Sequence, residues 1–428
     1  MIRLIAAAVV CSVAAFGQSV PAPAAIGLRE ALSRAKQYNP QFQAAAVAGA
    51  LAHEDRVQAR AGFSPALSYL NQYIYTEGNR TPSGVFVAND GVHVYNSQGI
   101  AHEDLSLAKL ADYKRLIAAE AVARARVEIA ARGLTLTVVQ NYYGLAVAQR
   151  KTANAQRSLD EADRFLEITR KQEQGGEVAH ADVVKAQLTA RQRERDLQDA
   201  QLAEQKARIA LAIFLFPDYR QNFNIVDDLD TVAANASFDE VEAKAIAASP
   251  ELREALSNLR EQKYALSSAR AGYYPALNFD VLYGINANQF AIVGPDDRHN
   301  LGYSAQGSLV IPVWNWGLTR SKVKQANLLA KQADLELSAA RKTLAGNLNA
   351  AYLEAQAARA QVDSLKSSVS LSEESLRLTI LRYQAGEATA LEVVDAQSTL
   401  ALARNAYDDG LSRYRVAWAT LETLTGSL

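Results

Sequence analysis

The chain repeats itself. Ala61-Gly-Phe-Ser-Pro65-Ala-Leu67 returns as Ala271-Gly-Tyr-Tyr-Pro275-Ala-Leu277, an offset of 210 residues from Pro65 to Pro275. Asn39-Pro40 returns as Ser249-Pro250 at the same offset, and Leu134 and Tyr142 return as Leu344 and Tyr352. Gly176, Val183-Val184 and Ala186-Gln187 return as Gly386, Val393-Val394 and Ala396-Gln397. Separated matches at one offset mark a duplicated unit, residues 28–216 and 238–428, joined by a polar linker over 217–237. Two copies are too few for a solenoid, so a pseudo-symmetric protomer is expected.

Both units read in the same order. A helix of about 34 residues (28–61 and 238–271) ends at Gly and Pro. In the second copy Leu252, Leu256, Leu259, Lys263 and Leu266 step by four and three, the spacing of side-by-side helices. The period then changes to two. Leu277, Phe279, Val281, Tyr283 and Ile285 alternate with polar or small residues, and so do Leu301, Tyr303, Ala305 and Leu309 after the loop Asn286–Asn300. This predicts β-hairpins at 276–313 and 66–101, the latter with a loop containing Gly78, Pro82, Gly84 and Gly91. Proline-free helices follow over about 107–171 and 318–382, rods of about 100 Å at ~1.5 Å per residue. Val362, Leu365, Val369, Ser372, Leu376, Thr379 and Tyr383 continue the three-and-four stepping. Turns at Gly175-Gly176 and Gly386 lead into helices 180–215 and 389–425, glycine supplying the positive φ of a tight reversal. Two short helices laid end to end match one long one.

Composition removes several classes of function. With 45 basic and 46 acidic residues in 428, the formal charge is −1, and bulk electrostatic binding of nucleic acid is excluded. One Cys and five His exclude a disulfide scaffold and a Cys-rich metal site. His53, His93, His102 and His299 fall in different elements, and His180 beside Asp182 reads as a contact at a turn. No nucleotide loop or catalytic constellation emerges, so neither enzyme activity nor a cofactor or metal is expected. Met1 to Gly17 has the basic start, short apolar core and small-residue ending of a cleaved signal peptide, followed by an N-terminal segment over 18–27. Val9 and Val10 before Cys11 argue against a lipid-anchor site.

Hydrophobic residues make up 49% of the chain, yet beyond the leader no run approaches the ~18 apolar residues of a spanning helix. Strands of ~9–11 alternating residues can cross a bilayer, but only as a closed barrel of at least ~8 strands. Four strands per chain therefore imply an oligomer, and three chains supply twelve. Phe63, Tyr273, Tyr274, Trp314 and Trp316 near the strand ends suit an interfacial girdle, the alternative being core aromatics of a soluble sheet.

The duplicated helix–hairpin–long helix–turn–helix order resembles the TolC family of outer-membrane efflux channels over essentially the whole mature chain. The resemblance rests on Pro65-Ala-Leu67, Tyr274-Pro275-Ala-Leu277, Ile311-Pro312-Val313-Trp314-Asn315-Trp316-Gly317 and Tyr383-Gln-Ala-Gly386-Glu-Ala-Thr-Ala-Leu391-Glu-Val-Val-Asp395-Ala-Gln397. It implies a mostly α protein with a small β portion. Three protomers would form a twelve-stranded barrel in the outer membrane and a helical tunnel through the periplasm. The partners implied are a periplasmic adaptor and an inner-membrane pump, with passive exit of substrates. The turns at Gly175, Gly176, Gly386 and Glu387 would dock the adaptor. Tyr383, Glu392 and Asp395 match positions that narrow the periplasmic entrance, where threefold symmetry would bring carboxylates together and raise their pKa values. Asp182 and Lys185 hold the equivalent places in the first copy, Lys185 as a possible partner of Glu392 or Asp395. Two departures stand out. Ala388 occupies the place of the family's locking Arg, and Glu103-Asp104-Leu105-Ser106-Leu107 replaces the Pro-Val-Trp-Asn-type turn, after a strand made less apolar by His93, Ser97 and His102. The competing class is a soluble periplasmic coiled-coil structural or adaptor protein.

Overall fold

The computed structural model describes residues 25–75, 93–231, 237–295 and 297–427. The leader over 1–17, most of the following segment and the loop with Gly78, Pro82, Gly84 and Gly91 lie outside the described residues. The fold is mostly α. The first copy comprises α1 (Leu28–Tyr38), α2 (Pro40–Ala61), β2 (Ala66–Tyr75), β3 (His93–Leu105), α3 (Leu107–Gln174) and α4 (His180–Leu215), preceded by the short strand β1 (Ala25–Ile26). After β4 (Asn224–Ile225) the second comprises α5 (Phe238–Ala248), α6 (Pro250–Ala271), β5 (Ala276–Ala287), β6 (Leu301–Val310), α7 (Leu318–Gln384) and α8 (Ala390–Thr425).

The expected helices 28–61 and 238–271 are each two. Proline disfavours helical backbone in the residue before it, and Asn39 and Ser249 are extended, with ψ of 118° in both. Each then caps the next helix: Asn39 Oδ1 accepts from the Phe42 N–H at 2.9 Å, and Ser249 Oγ accepts from the Leu252 N–H at 3.2 Å. The break lets α1 fold back on α3 and α4 while α2 runs along α3 to the sheet.

Four staves lie side by side. The pair α2 and α4 flanks α3 on one side, the pair α6 and α8 flanks it on the other, and α7 packs on that second pair. The stepped residues of α7 are its inward stripe, with Leu376 and Tyr383 buried and the other five half-buried. Leu365 sits so close over Gly410 of α8 that a Cβ there would lie 2.5 Å from its Cδ1. In α6 the single seam is not realised: Leu259 is buried but Lys263 is exposed, because this helix meets both α3 and α7.

The main core forms where α1, α3, α4, α8 and the segment after α4 meet. Tyr142, Tyr143 and Leu145 of α3 pack there on Leu211, Leu215 and Leu411. The described part of the polar stretch, 217–231, contributes to it: Phe223, Ile225 and Leu229 are buried, and β4 pairs in parallel with β1. Its carboxylates clamp two helices. Arg150 of α3 binds Asp227 at 2.6 Å, Asp230 at 2.7 Å and buried Asp408 of α8 at 3.4 Å. Arg415 of α8 binds Asp228 at 2.9 Å. Burial pushes the Asp408 carboxyl above its usual range, against Asn154 and Arg150, which pull it down.

The sheet has the order β2-β3-β5-β6, antiparallel throughout, and among the described residues β2 and β6 are its unpaired edges. Its register sorts side chains by face. Pairings such as Tyr73↔Tyr95, Tyr69↔Gly99↔Tyr283↔Tyr303 and Leu67↔Ala101↔Val281↔Ala305 put apolar residues on one face. The other carries Ser68, Gln98, His102, Asn278, Asp280 and Gln306, with His102 Nδ1 2.7 Å from Asp280 Oδ1 across the strands. The apolar face is bare: Leu67 is 83% exposed and Tyr303 82%. The strand expected to end near Ala101 continues to Leu105, where Ser106 Oγ accepts from the Lys109 N–H at 3.1 Å and starts α3.

At Gly284 a Cβ would lie 2.2 Å from the Ser97 carbonyl oxygen, so Gly284→Val should break the β3–β5 ladder and lower the melting temperature in a thermal unfolding scan. Gly302→Val, where nothing in the chain lies within 4 Å, should leave the β5–β6 pairing and the melting temperature unchanged. Arg150→Met leaves Asp408 buried without its cation and should lower thermal stability by about 1–3 kcal/mol, below a fully buried pair because Arg150 is 22% exposed.

Candidate functional site

Two helix turns lie together at the end of the rods far from the sheet. Each is closed in the same way. Gly176 has φ +77° and Gly386 φ +76°; the Glu177 N–H donates to the Gln172 carbonyl at 2.9 Å and the Glu387 N–H to the Arg382 carbonyl at 2.8 Å. This six-to-one bond is a Schellman closure, which asks for a left-handed residue. Gly175 is not that residue: its φ of −75° is ordinary helix, and Ala385 stands in its place in the second copy.

Below the turns the two copies share one core. Phe165 of α3, Val183 and Ala186 of α4, Tyr383 of α7 and Val393 of α8 are buried together. Tyr383 packs edge-on against Phe165 at 5.1 Å, and its hydroxyl donates to Thr169 Oγ1 of α3 at 3.5 Å. Burial pushes the Tyr383 hydroxyl up, and the charge of Asp182 adds to this. Tyr383 and Asp182 are thus brought together.

Glu392 has its own contacts within the chain. Its carboxylate closes a capping box at the start of α8, accepting from the Thr389 N–H at 3.0 Å while its own N–H donates to Thr389 Oγ1. Arg382 pairs with it across the turn at 3.4 Å and also donates to the Glu387 carbonyl at 3.0 Å. The Thr389 backbone bond, then its hydroxyl and Arg382, hold the Glu392 carboxyl below its ordinary range. Within one chain, then, crowding does not raise it. Lys185 and Asp395 are exposed, and among the described residues neither has an ion pair in this chain. The first turn is tied by His180 Nδ1, 2.6 Å from Glu173 Oε1, and not by Asp182.

Arg382, Thr169 and Glu173 were missed by sequence reasoning. Thr389-x-x-Glu392 ahead of an apolar run was a readable capping-box signature. Arg382 and Thr169 had no local signal, since their partners come from across a turn and from another helix.

At the opposite end, Tyr273, Tyr274, Trp314 and Trp316 are exposed, Trp316 at 90%. Trp314 and Trp316 meet edge-on at 5.9 Å, and Trp316 takes a φ of 54° where the chain turns into α7. Phe63 instead turns inward onto Tyr113 at 5.5 Å, with Lys109 over its ring.

Known proteins match this arrangement. The family model described as outer membrane efflux protein matches residues 242–427. The cobalt-zinc-cadmium resistance protein CzcC of Cupriavidus metallidurans is 25% identical over 68% of this chain and 66% of its own length. The alkaline protease secretion protein AprF of Pseudomonas aeruginosa is 22% identical over 94% of this chain and 85% of its own. The crystal structure of the outer membrane protein VceC of Vibrio cholerae superposes with a TM-score of 0.80 at 17% identity, covering 93% of this chain and 96% of that one.

Glu392→Gln keeps the capping geometry but removes the charge paired with Arg382. A carboxyl held low contributes stability above its unfolded pKa, about 4.3, and loses it as pH falls through the depressed value. Hydrogen exchange over residues 385–395 should therefore be faster in the variant at pH 7, and the difference should shrink as the pH falls below the ordinary carboxylate range. With the fold and both ends of the rods in place, the chain shares the fold of these outer-membrane channel structures, and its second copy, over residues 242–427, is similar to the outer membrane efflux protein family.

Proposed function

We propose that the protein is a homotrimeric outer-membrane channel. Substrates leave the periplasm through it passively, and it is docked at its helix turns to a periplasmic adaptor and an inner-membrane pump. The sorted sheet carries the reading. Four strands with one bare apolar face and two free edges cannot rest in water alone, whereas three copies joined edge to edge make an antiparallel ring of twelve. The apolar face would meet lipid and the polar face would line water.

The helical layer supports the same closure. Its α7 edge exposes Leu328, Leu335 and Leu353, and its other edge exposes Val47 and Leu51 of α2 and Leu188 and Ile213 of α4. Unlike edges that meet head to tail form rings when the rotation closes. At the closed end, the Tyr383–Thr169 contact joins α7 to α3, and opening would separate them. Six carboxylates, from Glu392 and Asp395 of three chains, would surround the axis and favour cations. The names of CzcC and AprF point to metal resistance and protease secretion, and a passive duct serves either when the pump chooses the cargo.

In a planar bilayer the purified protein should form pores that prefer cations, and Glu392→Ala/Asp395→Ala should reduce that preference severalfold. Unchanged selectivity would remove the carboxylate ring. Recovery of the mature chain as a soluble monomer without detergent would instead favour the coiled-coil structural reading and end the channel one.

A further inference from the structure

The helices are strongly basic just below the sheet. The ten residues of α2, α3, α6 and α7 nearest it (52–61, 107–116, 262–271 and 318–327) hold ten Lys and Arg against three Asp and Glu, in a chain of net charge −1. Ten residues of helix span about 15 Å, so this belt lies next to the aromatic residues at the strand ends. Several of its cations are uncompensated. Lys114, Arg270, Arg320, Lys322 and Lys324 are exposed, and none has an ion pair among the described residues.

Two of them converge. A groove of about 260 Å³ between α3 and α6 is lined by Lys114 and Arg270 with Leu107, Leu110, Tyr264 and Tyr274. Its apolar rim is on the sheet side, where Leu107 is 53% exposed and Tyr274 57%. Helical side chains lean toward their helix N-terminus. Lys114, seven residues into α3, therefore leans up toward the sheet, and Arg270, at the last turn of α6, leans away from the sheet and toward Lys114. An apolar rim above two free cations matches an acyl chain above a phosphate.

We infer that this groove, with the basic belt around it, binds the anionic headgroup of a phospholipid in the periplasmic leaflet of the outer membrane. The site rests on the channel reading. The headgroup layer is about 5–8 Å thick on each side of a ~30 Å core, within reach of Arg270 and of the long Lys114 stem. Zwitterionic lipid offers the same acyl chain without net charge, so the preference is electrostatic. A cation beside such a surface contributes about fivefold in affinity.

Native mass spectrometry of the full mature protein in detergent tests this, with phosphatidylglycerol and phosphatidylcholine titrated separately. The parent should retain phosphatidylglycerol at least tenfold more strongly than phosphatidylcholine. Lys114→Ala/Arg270→Ala should lose roughly twentyfold of that retention, while Lys342→Ala/Lys366→Ala, which removes equal charge far along α7, should keep it. Equal retention by the Lys114→Ala/Arg270→Ala variant, or displacement of the lipid by millimolar inorganic phosphate, would overturn the inference. Bilayer conductance of the same samples separates the two readings. Intact pores with unselective lipid binding overturn the lipid site alone, whereas a parent protein that forms no pores overturns both.

Discussion

A rod about 100 Å long and one layer of helices thick has almost no inside, and the rest of the structure follows from that shortage. Leu67, Tyr303, Val313 and Trp316 are 83%, 82%, 88% and 90% exposed. Burial is confined to places where elements cross. One lies at mid-length, where α1, α3, α4 and α8 surround Tyr142 and Tyr143, and another lies beneath the paired turns around Phe165 and Val393. Between them the helices touch along narrow stripes, many filled by Ala, which lets backbones approach and leaves little apolar area in each contact. Large apolar residues on the outer edges and on one sheet face remain uncovered until copies of the chain meet.

Duplication supplies the parts, and unequal surroundings make the copies differ. α3 has neighbours on both sides and buries Tyr142 completely, whereas α7 is an edge and its counterpart Tyr352 stays half-buried. The turns diverge in the same manner. The first is tied by His180 and Glu173, and the second by a capping box and Arg382. The mid-length clamp spans the copies, since Arg150 of α3 and Arg415 of α8 both close on carboxylates of the segment that joins them. That segment thereby couples α8 to α3 halfway along a rod whose far end would have to move for a channel to open.

Much of the fold was legible. Period two marked the strands because one face of each is apolar, and three-and-four stepping marked α7 because a single stripe faces its neighbour. The Gly176 and Gly386 turns were legible because a left-handed residue favours glycine. Other features were not. The break at Asn39-Pro40 was hidden by helical composition on both sides, although the proline was its cause. The segment 217–237 looked polar because its carboxylates serve arginines distant in sequence, while Phe223, Ile225 and Leu229 are too few to form a periodic pattern.

By itself the sequence determined the duplication, the order of elements, the faces of the second hairpin's strands and the glycine turns, all properties of spacing along one chain. Tertiary structure decided which groups meet across it: Glu392 with Arg382, Tyr383 with Thr169, Arg150 with three aspartates, and Lys114 beside Arg270 under an apolar rim. The reason is physical. Periodicity is set by local backbone geometry and can be read from neighbours in sequence. An ion pair or a groove depends on the crossing of helices a hundred or more residues apart, and no local spacing encodes that.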